Sequence, residues 1–235
     1  MRPAFTKANR YIFDPKALSW SIPSGHTCPG ADACLASADR DTGRITNGPR
    51  QQFKCYSAEL ERFPSVRSRY WANLDAVRGK SPEEVFAVLE CLPRKAHLVR
   101  IHTAGDFFSQ AYLDGWLQFV RSRPGTHFYA FTKSLPLWVR RLGEVPPNLV
   151  LQASYGGKWD GLIAEHGLKY ARVVFSTEEA QALGLPIDTD DRLAAYGTQS
   201  FALLENRAAM RERMALVQPT LFGLPLPSPQ GTMHA

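Results

Sequence analysis

The rhythm of apolar and polar positions changes near residue 98. Before it, apolar residues recur every three or four positions. Leu60, Phe63, Val66, Tyr70 and Leu74 follow that spacing and predict helix over residues 56–75, split in two by Pro64. Ser81-Pro82-Glu83-Glu84 then supplies a capping serine, a proline for the first turn and two acids. The helix it opens is expected to reach Leu92, before Pro93, with Val85, Phe86, Leu89, Cys91 and Leu92 toward the core.

From Leu98 onward, short and nearly continuous apolar runs alternate with helical stretches. LVRIH (98–102) precedes a helix over 109–122, and HFYAFTKS, with strand residues Phe128 to Phe131, precedes one over 136–142. LVLQASY (149–155) ends in Gly156-Gly157 before a helix over 158–166, and ARVVFS (171–176) leads into a helix opened by Ser176-Thr177-Glu178-Glu179. Four strand-then-helix units in series imply right-handed crossovers and a parallel sheet covered on both faces. The expected class is α/β, with repeated βα units closing completely or partly into a TIM-like barrel. An open doubly wound sheet is the alternative.

The flanks are less regular. Residues 1–27 read as an irregular lead-in, with turns at Asp14-Pro15 and Pro23-Ser24-Gly25. Asp188, Asp190 and Asp191 suggest a loop rim, and residues 200–217 read as a helix. The Pro- and Gly-rich residues 219–235 are expected to form a surface tail. The chain is thus expected to be one α/β domain over residues 1–218, with a metal-binding region over 1–60 and clear βα repeats over 98–183.

Parallel strands place their chemistry at their C-terminal ends. The exits here carry His102, Thr103 and Asp106; Thr132, Lys133 and Ser134; Gln152, Ser154 and Tyr155; and Ser176 with Thr177. His102, Asp106 and Lys133 are the catalytic candidates. An imidazole would move a proton, a carboxylate would orient it, and an ammonium would hold an anionic group. The Ser and Thr residues are more simply helix caps.

Residues 28–57 have little hydrophobic periodicity, yet they hold Cys28, Cys34 and Cys55 in polar, turn-rich sequence. Burial as small hydrophobes suits Cys91 better than these three. Metal or iron–sulfur ligation would explain both the thiols and the ordering of this coil. The C-x5-C-x20-C spacing matches no standard zinc finger, although zinc with His26 as a further ligand stays open.

Charge adds one detail. Residues 1–100 hold 16 Lys and Arg against 10 Asp and Glu, and residues 101–235 hold 12 of each, so the whole net charge of +6 sits with the cysteines. That favours an anionic partner: nucleic acid, a nucleotide or another phosphate-bearing molecule. No stretch approaches a membrane span, and the first twenty residues have no apolar signal core, so a cytoplasmic location is expected.

The segments TCPGADAC, KCYSAELERFPSVRSRYWANL, VRIHTAGDFFSQAYLDGW and FYAFTKS resemble the phage and plasmid family named after mycobacteriophage gene product 88. The resemblance covers most of residues 27–134. It implies a cysteine-ligated metal centre, of iron–sulfur and most simply 4Fe-4S type, beside a barrel-like α/β domain. By that likeness Cys28, Cys34 and Cys55 are the ligands, and His102 and Asp106 face the site. Larger members have a second cysteine-rich segment that has no counterpart after Cys91 here. Three thiolates would leave one iron of a cubane open, or filled by His26, Cys91 or an exogenous ligand. The CxxxCxxC loop of radical S-adenosylmethionine enzymes is absent.

The first functional expectation is therefore an iron–sulfur enzyme acting on a nucleotide, nucleic acid or other phosphate-bearing substrate, with a redox partner. A non-catalytic nucleic-acid-binding protein is the second, with a structural cluster or zinc and with Tyr56, Tyr70 and Trp71 stacking on bases among Arg62, Arg67 and Arg69. A phage or plasmid accessory protein that binds a host protein is the third.

Overall fold

The structure is a computed structural model that describes residues 2–8 and 11–205. The expected tail, and the 200–217 helix beyond residue 205, lie outside the described residues. Nine strands occur among them: β1 (Thr6–Lys7), β2 (Leu18–Trp20), β3 (Ala36–Ala38), β4 (Ile45–Asn47), β5 (Leu98–Ile101), β6 (His127–Thr132), β7 (Leu149–Ser154), β8 (Tyr170–Val174) and β9 (Phe201–Leu204). β3 and β4 pair as a small antiparallel sheet, and the other seven form one sheet in the order β1-β2-β5-β6-β7-β8-β9. Only β1 runs antiparallel to its neighbour.

From β2 to β9 the order follows the chain without a reversal. Right-handed crossovers then place the connecting helices on one face, except the Arg192–Tyr196 helix between β8 and β9, which packs on the other. A doubly wound sheet needs a reversal of order, and none occurs among the described strands. The sheet is also open: β1 and β9 are its edges, so the described residues form no complete barrel.

The helices are α1 (Tyr56–Leu60), α2 (Pro64–Val77), α3 (Pro82–Leu89), α4 (Gln110–Arg121), α5 (Leu135–Val139), α6 (Gly161–Glu165), α7 (Thr177–Ala182) and α8 (Arg192–Tyr196). Pro64 divides α1 from α2 as its ring dictates. Serines cap three helices where the sequence placed the starts: Ser81 with a full capping box, Ser109 and Ser176. No helix among the described residues is long and apolar enough to cross a membrane.

Alternation along the strands sorts two faces. Val99, Ile101, Phe128, Ala130, Leu149 and Leu151 pack under the helices with Trp20, Trp116 and Phe119. Burying each large side chain there contributes about 2 kcal/mol. Leu98 and Tyr129 point the other way, where Ile12, Ala194, Ala195 and Phe201 cover them. The second face thus receives the lead-in and α8, the second helix of the β8–β9 connection.

Several expectations are corrected. Residues 201–204 are a strand parallel to β8, not the start of a helix. A four-residue apolar run has no period to read, and pairing with β8 decides. The lead-in contributes β2, parallel to β5, although three residues are too few to stand out. Cys91 follows the end of α3 and is exposed, not turned to the core.

Residues 21–55 lie across the C-terminal ends of the strands. The Ile22 N–H donates to the Ala104 carbonyl, the Ala33 N–H to Gly156, and the Lys158 N–H to Gly30. Ala31 and Gly157 form a bridge. Gly105 has a φ of +83°, and a Cβ there would lie 2.4 Å from Ile22 Cγ1. Glycine is required at that crossing for both reasons.

Candidate metal centre

Three separate turns bring Cys28, Cys34 and Cys55 to this edge. Cys28 follows the Ser24–Gly25 turn, and its sulfur accepts the Gly25 N–H at 3.3 Å. Cys34 precedes β3 in the segment anchored by Ala33 to Gly156. Cys55 is the residue before α1, and its sulfur meets the Ser57 hydroxyl at 3.2 Å. All three thiols are free and partly exposed.

They are electrostatic neighbours. Burial pushes the Cys28 thiol well up, and negative charge on Asp106, Cys55 or Cys34 pushes it further. Burial also raises Cys34, against the pull of the Lys133 ammonium, while Cys55 and Asp106 again raise it. Both shifts favour the neutral thiol, and only a cation bound among the sulfurs would favour thiolates there. Thiolates are soft donors, of the kind that suits zinc, copper(I) or iron–sulfur ligation. Among the described residues, no group of three or more His, Cys, Asp or Glu is arranged to hold a metal ion.

Asp106 lies beneath the thiols and is fully engaged. Its carboxylate accepts the Thr132 hydroxyl at 2.6 Å, the Lys133 N–H at 2.8 Å and the Phe107 N–H at 2.7 Å. Desolvation outweighs those donors and pushes its pKa up to about 6. Lys133 is buried, and its ammonium donates to the Ser154 carbonyl and hydroxyl and to the Tyr155 carbonyl, at 2.9, 2.7 and 2.6 Å. Three protons meet three acceptors. The exits of β5, β6 and β7 are thereby joined in series.

His102 is placed apart from this pair. Strict alternation would set its ring on the Arg100 face, but a φ of +65° turns it into the helix layer. There it packs on Phe107, Tyr112 and Trp116, with Nε2 2.9 Å from the Tyr112 hydroxyl and Nδ1 without a partner. Desolvation lowers its pKa to about 3, so the imidazole is neutral near pH 7. Asp106 and Lys133 therefore come together, and His102 is joined to Tyr112 and not to Asp106.

The other candidates are placed as plainly. His26 Nε2 lies 2.9 Å from the Ala38 carbonyl, and the ring packs on Trp71. The Cys91 thiol is exposed, and a backbone contact from Phe5 bears on it. Tyr70 and Trp71 are buried, and Tyr56 is tied to the Thr103 carbonyl and Arg100, so these rings are not presented for stacking on bases. Arg67 is buried and spends its guanidinium on the carbonyls of Arg40, Asp41, Glu61 and Arg62.

Sequence reasoning missed Glu61. It is fully buried, and one carboxyl oxygen, Oε2, has no hydrogen-bond partner. Oε1 accepts the Ser24 N–H at 2.8 Å. Within AELERF it reads as one of many exposed helical acids, and no local signal marks it.

Comparison with known proteins follows from this geometry. The family model described as Gene product 88 matches residues 3–218. The Gene 88 protein of Mycobacterium phage L5 is 32% identical over 130 residues, which is 50% of this chain and 48% of that protein. The Gene 88 protein of Mycobacterium phage D29 is 31% identical over 130 residues, with the same shares covered. The alignments with these curated relatives span about half of each relative's length. No solved structure matches the chain.

Proposed function

This chain belongs to the gene product 88 family, and from that premise we propose that it is an iron–sulfur protein, an enzyme acting on a phosphate-bearing substrate such as a nucleotide or nucleic acid. The observation that carries the reading is the convergence of Cys28, Cys34 and Cys55, from three irregular segments, over the ends of β5, β6 and β7. Their number would leave a cluster short of one protein thiolate. Such a cluster, when bound, supplies a Lewis-acidic iron and a site for single-electron transfer. The unreversed strand order is read here as part of a barrel, with the cluster at its C-terminal mouth.

The chain's own residues then have distinct tasks. Cys28, Cys34 and Cys55 bind. The Gly25 N–H stabilises charge on the Cys28 sulfur, and Lys133 does so for Cys34. Asp106 and Lys133 hold the strand exits at fixed spacing and set the field beneath the thiols. His102 stays neutral and buttresses that exit through Tyr112. The excess positive charge of residues 1–100 draws the anionic substrate to this edge.

The test is anaerobic purification after expression with cluster-assembly enzymes. The protein is expected to be brown and to hold about four irons and four sulfides per chain. Colourless protein with a single zinc would overturn the reading. For the substrate, affinity for nucleic acid or nucleotide is expected to fall steeply as salt rises. Absence of binding to both at micromolar protein would remove the phosphate assignment.

A further inference from the structure

Resting on the phosphate-bearing substrate of the reading above, we infer that the strand-exit edge binds single-stranded nucleic acid. Trp159 stacks on a base there, and Lys158, Lys54 and Arg50 hold the phosphate backbone beside the cysteines.

The exposure of the rings is the first observation. Trp20, Trp71, Trp116 and Trp138 are core residues, none more than 8% exposed. Trp159, the fifth tryptophan, is 36% exposed, and its indole has no ring partner or hydrogen bond among the described residues. Phe175 directly follows β8, the strand paired with β7, and is 52% exposed, again without a ring partner among them. One such ring on a surface would be ordinary. Two leaving neighbouring strand exits form a patch that is open to a planar ligand.

The turn that carries Trp159 is fixed against the cysteine segment. Gly157 forms a bridge with Ala31, and the Lys158 N–H donates to the Gly30 carbonyl at 2.9 Å. Both of those partners lie between Cys28 and Cys34. Asp160 accepts the Gly156 and Gly157 N–H groups at 2.8 and 2.9 Å and closes the turn from the other side. A flat ring held on such a turn loses little freedom when a base stacks on it.

Cations border the same segment. The Lys158 ammonium donates to the Pro29 carbonyl at 2.8 Å, which leaves two of its three protons for a ligand. Lys54 is exposed next to Cys55, and Arg50 reaches Asp32 at 2.8 Å from an exposed position. The acids at this edge are engaged: Asp32 with Arg50, Asp160 with the glycine amides, Glu179 with the Phe175 N–H and Glu178 with the Thr177 hydroxyl. Open rings among cations make a platform for an unpaired strand, whose bases offer their faces as those of a duplex do not.

Fluorescence anisotropy of the anaerobically purified full chain with a labelled oligothymidylate of about 12 nucleotides tests this. Trp159→Ala is expected to weaken binding about tenfold with the salt slope kept, and Trp159→Phe to restore most of the affinity. Lys158→Ala and Lys54→Ala are each expected to flatten the plot of log affinity against log salt by about 0.7. Bound oligomer is expected to quench tryptophan emission in the wild type and not in Trp159→Phe. The quenching and the lysine slopes decide the question even if Trp159→Ala loses its fold. Unchanged affinity in folded Trp159→Ala, or equal affinity for the matching duplex, overturns the proposal. Binding of a thymidine mononucleotide but not of the oligomer overturns it and leaves the phosphate-bearing substrate standing. Binding of neither overturns both.

Discussion

Asp106 accepts the backbone N–H of Lys133 at 2.8 Å, and this contact ties the exit of β5 to the exit of β6. The other oxygen takes the Thr132 hydroxyl. A carboxylate that spans two strand exits is a structural part as well as a charge under the thiols. Asp106→Ala takes the acceptor from two backbone N–H groups, of Phe107 and Lys133, and from the Thr132 hydroxyl, and is expected to cost about 2–4 kcal/mol. In a chain of this size that is a fall of roughly 5–15 °C in thermal midpoint. Asp106→Asn presents an amide to the same donors and is expected to lie between. An unchanged midpoint in Asp106→Ala, measured by calorimetry, would contradict the bridging role.

His102 predicts a pH dependence. Burial lowers its folded pKa to about 3, against an ordinary value of 6.5. A group with a depressed folded pKa contributes nothing unfavourable above the unfolded value. Below pH 6.5 the unfolded chain binds a proton that the folded chain refuses, so stability falls steadily down to about pH 3. By pH 4 the loss from this residue is roughly 3 kcal/mol. Glu61 and Asp106, whose pKa values burial raises, act in the opposite direction as pH falls. Wild type minus His102→Gln therefore isolates the imidazole. Denaturant melts from pH 7 to 4 should show the difference widening, and parallel curves would refute it.

The βα repeats were legible because their strands are short apolar runs followed by capped helices, and Ser81, Ser109 and Ser176 cap as their sequence implies. The convergence of Asp106 and Lys133 was legible too, since parallel strands share one exit edge. What the sequence hid was direction. His102 departs from alternation through one left-handed residue, and nothing in IHTAGD announces which residue takes that φ. Glu61 was hidden because its burial depends on Ser24, 37 residues away. β2 and β9 were hidden because three- and four-residue strands carry almost no period. Sheet closure depends on long-range pairing, which local pattern does not encode.

Docking of the cysteine segment depends on a close backbone approach at Gly30. A Cβ there would lie 2.1 Å from the Lys133 carbonyl oxygen, and the neighbouring strand end has no flexible side chain to yield. Gly30→Ala is expected to lift residues 28–34 from the sheet edge while the helix-side core around Trp20 and Trp116 stays packed. Iron content should fall several-fold, and proteolysis should become faster within residues 28–55 but not within 98–154. Full iron content in Gly30→Ala would show that the segment does not need this contact.

The cysteines make the sharpest comparison, because the structure divides them three and one. Cys28, Cys34 and Cys55 share a field with one another at the strand exits, whereas Cys91 lies exposed beyond α3 beside the backbone of Phe5. Serine replaces the sulfur with a harder, far less acidic oxygen and changes the volume little, so loss of metal after Cys→Ser reports ligation more than packing. On the proposed reading each of Cys28→Ser, Cys34→Ser and Cys55→Ser is expected to lose most of its iron and to loosen residues 21–55, since a bound metal would couple its binding to the ordering of that coil. Cys91→Ser should keep its iron and its absorbance. Equal loss in Cys91→Ser would make it a fourth ligand and close the centre to substrate. Retention of iron in any of the first three would remove that residue from the site. Four spectra with matched iron assays decide between a centre with an open position and one without.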